Sequence, residues 1–127
     1  MGKIWVQIGN DIDGLNGDKS GEYVKISNDG NVIAIGQRIE KGESVSIHKI
    51  NNESITQIGN GLQGKDVDIS SNGNVIAVSQ PTKDLFGEIS IYEIKNNNLS
   101  LIGEPIKGSE SINEYDGYGG HFGTDIS

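Results

Sequence analysis

The sequence predicts an all-β protein built from a repeated unit. Apolar and polar residues alternate over short runs, and no stretch of the sequence has the 3.6-residue apolar period of a helix. Glycine is frequent, with 19 copies against 2 prolines, as tight turns between short strands require. The segment ISNDGNVIAIG at Ile26–Gly36 returns as ISSNGNVIAVS at Ile69–Ser79. A repeat of this length builds a supersecondary unit that buries its apolar face against a neighbour.

The first unit contains four predicted strands. Tyr23–Ser27 alternates, with Val and Ile on one face, and a turn rich in Asn, Asp and Gly follows it. Val32–Gln37 is almost entirely apolar, which favours a central strand buried on both faces. Ser44–Ile50 alternates again and is the third strand, and Ser54–Gly59 is the fourth.

The second unit repeats this order. Its predicted strands are Val67–Ser70, Asn74–Gln80, Gly87–Ile94 and Leu99–Gly103. At the start of the chain, Val6–Asn10 (VQIGN) matches Thr56–Asn60 (TQIGN). This match predicts a lone fourth strand over Lys3–Gly9, and Thr124–Ser127 is predicted to begin another first strand.

Four antiparallel strands in a unit of roughly 45 residues are typical of a β-propeller blade. We therefore predict one repeat domain over residues 1–127, with an outer strand at 3–9, blades at 20–59 and 64–103, and a loop leading into a further blade at 104–127. Propellers close with about 4–8 blades, so the missing ones come from a longer chain or from other copies in a homo-oligomer. A longer chain is favoured, since the junction between copies would contain only outer and inner strands.

Composition excludes several classes of partner. The formal charge of −8 disfavours nucleic acid, whose binders cluster Lys and Arg. The sequence has no cysteine, which excludes disulfides, thiol catalysis and Cys-ligated zinc. No run approaches the roughly 20 apolar residues of a membrane-spanning helix, so no membrane insertion is expected.

Trp5–Gly14 reads W-V-Q-I-G-N-D-I-D-G, and Phe122-Gly123 with Gly21 and Gly64 continue a glycine-rich pattern. These residues resemble the FG-GAP, integrin-α-like propeller repeats. They are closest to the W-x-Q-x-G-x-D-I-x-G repeat proteins of marine microbes and large DNA viruses. The resemblance implies a propeller used for display, adhesion or partner binding, outside the cell or on a virion, and it implies no catalysis.

An acidic loop follows the lone strand. Asp11 and Asp13 alternate beside Gly14, and Asp18 lies close in sequence. Calcium takes six to eight oxygen ligands, and carboxylates on a glycine-bent loop can supply several of them. Calcium is the one cofactor that this pattern suggests. The alternative is a solvated acidic turn held by Asx hydrogen bonds.

A second candidate site lies in a glycine-rich stretch near the end of the sequence. Exposed aromatic side chains on such a loop stack on sugars or hold a partner's side chain, although they can equally pack beneath the next blade. Its residues are Tyr115, Asp116, Tyr118, His121 and Phe122. Together with the acidic loop they would form a binding rim, which carries the loops 10–20, 38–43, 60–64, 81–86 and 104–123.

The leading functional hypothesis is a non-catalytic propeller module that binds a protein or carbohydrate surface. The sequence has no phosphate loop, no nucleophile elbow and no His-rich metal cluster, so no enzyme activity is expected. The alternative is a fragment of a glycoside-processing propeller enzyme. A carboxylate pair such as Asp11 and Asp13 would then supply acid–base chemistry, which requires a cleft that raises one pKa.

Overall fold

The computed structural model describes residues 4–14, 17, 19–39, 42–80 and 87–108. These residues form nine strands and no helix. The strands are β1 (Lys19–Ile26), β2 (Val32–Ile39), β3 (Gly42–Asn51), β4 (Ser54–Gln63), β5 (Asp66–Ile69), β6 (Val75–Gln80), β7 (Glu88–Lys95), β8 (Asn98–Leu101) and β9 (Ile106–Lys107). No helix with the length and hydropathy that crossing a bilayer requires occurs in the described part of the chain.

The strands form two antiparallel sheets, each in chain order. Blade 1 is β1-β2-β3-β4, and blade 2 is β5-β6-β7-β8 with β9 also paired to β7. The predicted all-β class and the four-stranded blades are therefore confirmed. The first strand of blade 1 begins earlier than predicted, at Lys19, because an irregularity between Ser20 and Tyr23 lets the ladder continue to Arg38.

The same turn joins the first two strands of each blade. In blade 1 the Ser27 hydroxyl donates to Asp29 Oδ1 at 2.7 Å and accepts the Val32 N–H at 3.0 Å. In blade 2, Ser70 makes the equivalent bonds with Asn72 at 2.9 Å and Val75 at 3.0 Å. A side chain that mimics backbone bonding fixes a turn locally, so the repeated sequence produces a repeated turn.

The fourth strand is longer than the sequence predicted. β4 pairs Ile58 with Ile47 and then Leu62 with Val45, so a bulge at residues 59–61 interrupts the ladder. Blade 2 has a bulge of the same size at residues 103–105, which separates β8 from β9. The predicted loop at residues 60–64 is therefore wrong: the chain stays in the sheet, and only Gly64 and Lys65 link the blades.

The core lies between the two sheets. We call the side of each sheet that carries Val24 or Val67 its front face, and the opposite side its rear face. The rear face of blade 1 packs on the front face of blade 2 and excludes water from both. The buried residues of this core are Val32, Ala34, Val45, Ile47 and Ile58 from blade 1 and Val67, Ile76 and Val78 from blade 2, and Ile35 is buried on the front face of blade 1.

Candidate functional site

The predicted acidic loop is open to solvent where the structure describes it. Asp11 and Asp13 are both exposed, and the Gln7 side-chain amide donates to Asp11 Oδ1 at 2.7 Å. Asp18 lies outside the described residues. No three His, Cys, Asp or Glu side chains within the described ranges are grouped so that they could hold a metal ion. Calcium binding through all three aspartates stays a prediction.

The second predicted site is not covered by the structure. All five of its residues belong to the stretch 109–127, which lies outside the described part of the chain. The loop at 81–86 and the predicted strand at 124–127 lie outside it too. Their proposed roles in binding stay predictions.

A different group of residues stands out at the edge where the blades are linked. The ring of Tyr23, on β1, lies directly over Gly36 on β2, and a Cβ at position 36 would overlap that ring. The Tyr23 hydroxyl oxygen is buried, and it has no hydrogen-bond partner among the described residues. Buried hydroxyls almost always have a partner, so this one needs an explanation.

The surroundings of Tyr23 are acidic. Burial raises the pKa of its phenol, and the negative charges of Asp66, Glu43 and Glu22 raise it further. The phenol therefore stays protonated throughout the physiological pH range. It can donate one hydrogen bond through its proton and accept another through its oxygen. Arg38 donates to Glu22 Oε1 at 3.1 Å in an exposed ion pair. We call these five residues the Tyr23 cluster.

The link between the blades fixes Asp66 beside this tyrosine. The Gly64 N–H donates to the Glu43 carbonyl at 3.2 Å, and the Lys65 N–H donates to the Ser79 carbonyl at 2.8 Å. Asp66 Oδ1 then accepts the N–H of Val67 at 2.9 Å. The start of β5 is thus bonded to both blades, which holds the Asp66 carboxylate at the boundary between them.

Tyr23 and Asp66 occupy the same place in their respective blades. Tyr23 pairs with Gly36 on β2, and Asp66 pairs with Ser79 on β6. Ser79 is fully buried, and its hydroxyl oxygen also lacks a partner among the described residues. At this register position blade 1 therefore has an aromatic residue over a glycine, whereas blade 2 has a carboxylate opposite a serine.

Reasoning from the sequence missed this cluster. The signal was present, because aligning the two copies places Tyr23 against Asp66 and Gly36 against Ser79 within segments that are otherwise nearly identical. A buried phenol beside carboxylates offers hydrogen-bond donors and acceptors on one edge. That arrangement suits a ligand with several hydroxyl groups.

Comparison with known proteins shows the fold. The chain is similar to the crystal structure of a candidate 6-phosphogluconolactonase from Bacteroides fragilis, with a TM-score of 0.54 and 24% sequence identity. The match covers 76% of this chain and 28% of that one, so this chain spans less than a third of the matched protein. No protein-family model matches the sequence. No curated protein matches it either.

These findings correct three predictions. Membership of the FG-GAP, integrin-α-like repeats is wrong, because no family model supports it and a solved structure to which the chain is similar is a candidate lactonase. The prediction of a non-catalytic display or adhesion module is contradicted by the same finding, as is the expectation of no enzyme activity. Within the described residues, Gly9 and Gly21 of the pattern that suggested that family have positive φ, a backbone conformation that favours glycine.

Proposed function

We propose that this chain forms two blades of a β-propeller enzyme that hydrolyses an uncharged carbohydrate-derived substrate, a glycoside or a sugar lactone, and that the Tyr23 cluster binds this substrate. The observation that carries the proposal is the buried, unpartnered hydroxyl of Tyr23 beside the carboxylates that raise its pKa. A buried polar group without a partner costs about 1–3 kcal/mol. A ligand that supplies the missing bond recovers that free energy when it binds.

The chemistry of the cluster fits a sugar. Sugar hydroxyls donate to carboxylates and accept from a phenol, and hydrogen bonds that involve an ionised partner are the stronger ones. The Asp66 carboxylate accepts the Val67 N–H, and Gly64 and Lys65 just before it are bonded to both blades, so the carboxylate can orient a ligand without first losing much side-chain freedom. Its carboxylate is the candidate acceptor for a substrate hydroxyl or an attacking water.

The structural likeness supports an enzyme, and the charges of the Tyr23 cluster limit which substrates it can bind. The matched protein is named for action on a phosphorylated sugar lactone. In the Tyr23 cluster, Glu22, Glu43 and Asp66 outnumber the one guanidinium of Arg38, which already bonds Glu22. These carboxylates would repel a phosphate bound beside them, so the proposed substrate carries no phosphate group at this site.

The test is a hydrolysis assay with paired substrates, each sugar lactone or aryl glycoside being offered with and without a phosphate group. We expect the uncharged member of each pair to have the higher kcat/KM. Tyr23→Phe should lower kcat/KM for it by roughly tenfold, the equivalent of one hydrogen bond. The same substitution should leave the melting temperature unchanged or raise it, because it removes a buried hydroxyl that has no partner.

Tyr92→Phe is the matched control, since Tyr92 is a half-buried phenol on β7 of blade 2 outside the cluster. It should leave kcat/KM unchanged. Equal effects of the two substitutions on kcat/KM would contradict the proposed role of Tyr23. Preference for the phosphorylated substrates, or hydrolysis of neither class, would contradict the proposed function itself.

A further inference from the structure

Each blade exposes apolar residues near its edge whose counterparts in the sister blade are buried. On the front face, Val24 of blade 1 is 56% exposed, whereas Val67 at the same place in blade 2 is fully buried. On the rear face, Ile58 of blade 1 is 1% exposed, whereas Ile102 at the same place in blade 2 is 44% exposed. At these edges the exposed surfaces are therefore copies of the two halves of the buried interface, whereas Ile35 and His48 at the centre of the front face of blade 1 are buried.

Glycine positions show the same asymmetry. A Cβ at Gly73, in the turn of blade 2, would lie 2.6 Å from Val32 Cγ2 of blade 1. A Cβ at Gly30, in the same turn of blade 1, would have nothing within 4 Å. Gly30 thus leaves room on the front face of blade 1 for a side chain from a further blade, in the position that Val32 has relative to Gly73.

Gly9, which precedes blade 1, already lies on one residue of that front face. Gly9 has a φ of +69°, and a Cβ there would lie 3.2 Å from Ile55 Cγ1 of β4. Gly59 has a φ of +66°, and a Cβ there would lie 3.5 Å from Leu99 Cδ1 of β8. Gly9 therefore touches blade 1 where the end of a preceding blade's fourth strand would touch it, and residues 4–8, which lead into Gly9, are exposed and unpaired.

We propose that the open front face of blade 1 receives a three-stranded sheet of this same repeat, and that residues 4–8 are its fourth strand. The interface would continue the one between blades 1 and 2, with an apolar rear face packing on Val24 and Ile26. Both are exposed on this face, and their counterparts Val67 and Ile69 are covered. Exposed contiguous apolar surface of this kind marks an interaction site.

A second copy of this chain does not fit that face. Blade 2 of another copy would bring its own Gly103 to the place on Ile55 that Gly9 already occupies, since Ile8-Gly9 and Ile102-Gly103 are the same part of the repeat. Two strands cannot fill one position in a close-packed interface. The missing partner is therefore a unit with the first three strands and without the fourth.

The test uses the chain itself as the source of that unit. Residues 64–97, which contain β5, β6 and β7, are fused directly ahead of Ile4, so that residues 4–8 follow the third strand as Asn98–Leu101 do in blade 2. Trp5 is the one tryptophan in the sequence and is fully exposed, so it reports on pairing. Its fluorescence should move to shorter wavelength, with less quenching by acrylamide. The melting temperature should rise by roughly 5 °C or more.

Val24→Glu tests whether the added strands dock on the front face of blade 1 or only lengthen the chain. In the fusion it should abolish the rise in melting temperature, because it places a charge in the new interface. In the unfused chain it should have little effect, since Val24 is already more than half exposed. Lys25→Glu, at the next and exposed residue of β1, is the matched control and should leave the rise in place.

Two results would overturn the proposal. One is a fusion whose Trp5 emission and melting temperature equal those of the unfused chain. The other is concentration-dependent self-association of the unfused chain that Val24→Glu abolishes, because a second copy would then be the occupant. Neither result bears on the assay with Tyr23→Phe, which concerns the opposite face of β1.

Discussion

Gly73→Ala and Gly30→Ala form a matched pair that tests the packing between the blades. The two glycines occupy the same turn and have nearly the same backbone angle, with φ of +77° and +76°. Their surroundings differ, because only Gly73 faces the neighbouring blade. A Cβ at Gly73 would lie 2.6 Å from Val32 Cγ2 and 3.1 Å from Val32 Cβ, whereas a Cβ at Gly30 would touch nothing.

The expected losses follow from two separate costs. Alanine in a left-handed conformation costs roughly 1–2 kcal/mol, and both variants incur this cost. Gly73→Ala also forces an overlap with Val32, which is buried and cannot move aside freely. Overpacking of this kind costs about 1–3 kcal/mol. We therefore expect Gly73→Ala to lose about 2–5 kcal/mol of the free energy of unfolding and Gly30→Ala about 1–2 kcal/mol.

Urea denaturation of the full chain, followed by circular dichroism, measures both losses. Val32→Ala supplies the control, because removing the two methyl groups should restore part of the stability of Gly73→Ala and none of that of Gly30→Ala. Equal losses in the two glycine variants, or no coupling between Gly73→Ala and Val32→Ala, would show that the blades do not pack as described.

Three further predictions concern the sheets and turns. Ile58→Ala should cost about 2–5 kcal/mol of unfolding free energy and Ile102→Ala clearly less, because one side chain is buried and its counterpart is 44% exposed; urea titration checks this, and equal costs would refute it. Burial lowers the pKa of His48. The contribution of the neutral, buried His48 to the free energy of unfolding is therefore complete above about pH 6.5, the pKa of an unperturbed histidine, and it is lost as the pH falls from that value towards the lowered pKa. His48→Tyr should remove this loss from thermal melts, and an unchanged pH profile would contradict it. Asp29→Asn should leave the melting temperature at pH 7 unchanged and Asp29→Ala should lower it, because an amide oxygen makes the same turn bonds in blade 2; similar melts for both would contradict this reasoning.

The repeat explains why the fold could be predicted and why some boundaries could not. Identical Ser-x-x-Gly-Asn turns and alternating strands leave few choices of topology, so the four-stranded units follow from the sequence. The extension of β4 past Gly59 does not follow from the sequence. Residues 59–61 read Gly-Asn-Gly, which is typical of a loop, yet the strand resumes beyond them because the bulge bends it without ending its pairing with β3.

The candidate site could not be predicted by motif, because it has no local spacing. Glu22, Glu43 and Asp66 come from three different segments and act on one phenol only after two sheets have packed. Reasoning from the sequence favoured Asp11 and Asp13 because they are neighbours in the chain, and both are exposed to solvent. Proximity in sequence is a weak guide when a site is assembled between repeats.

Tyr23 and Val24 are adjacent on β1 and face opposite sides of blade 1. Substitutions at the two positions therefore test substrate binding and blade assembly separately. Tyr23 faces blade 2 and Asp66, whereas Val24 faces the open front. In the fused protein, Val24→Glu should lower the melting temperature without changing the ratio of kcat/KM between uncharged and phosphorylated substrates. Tyr23→Phe should change kcat/KM without lowering the melting temperature. If Val24→Glu altered the substrate ratio, the cluster would depend on the blade beyond β1, and the boundary between blades 1 and 2 would not be the complete binding site.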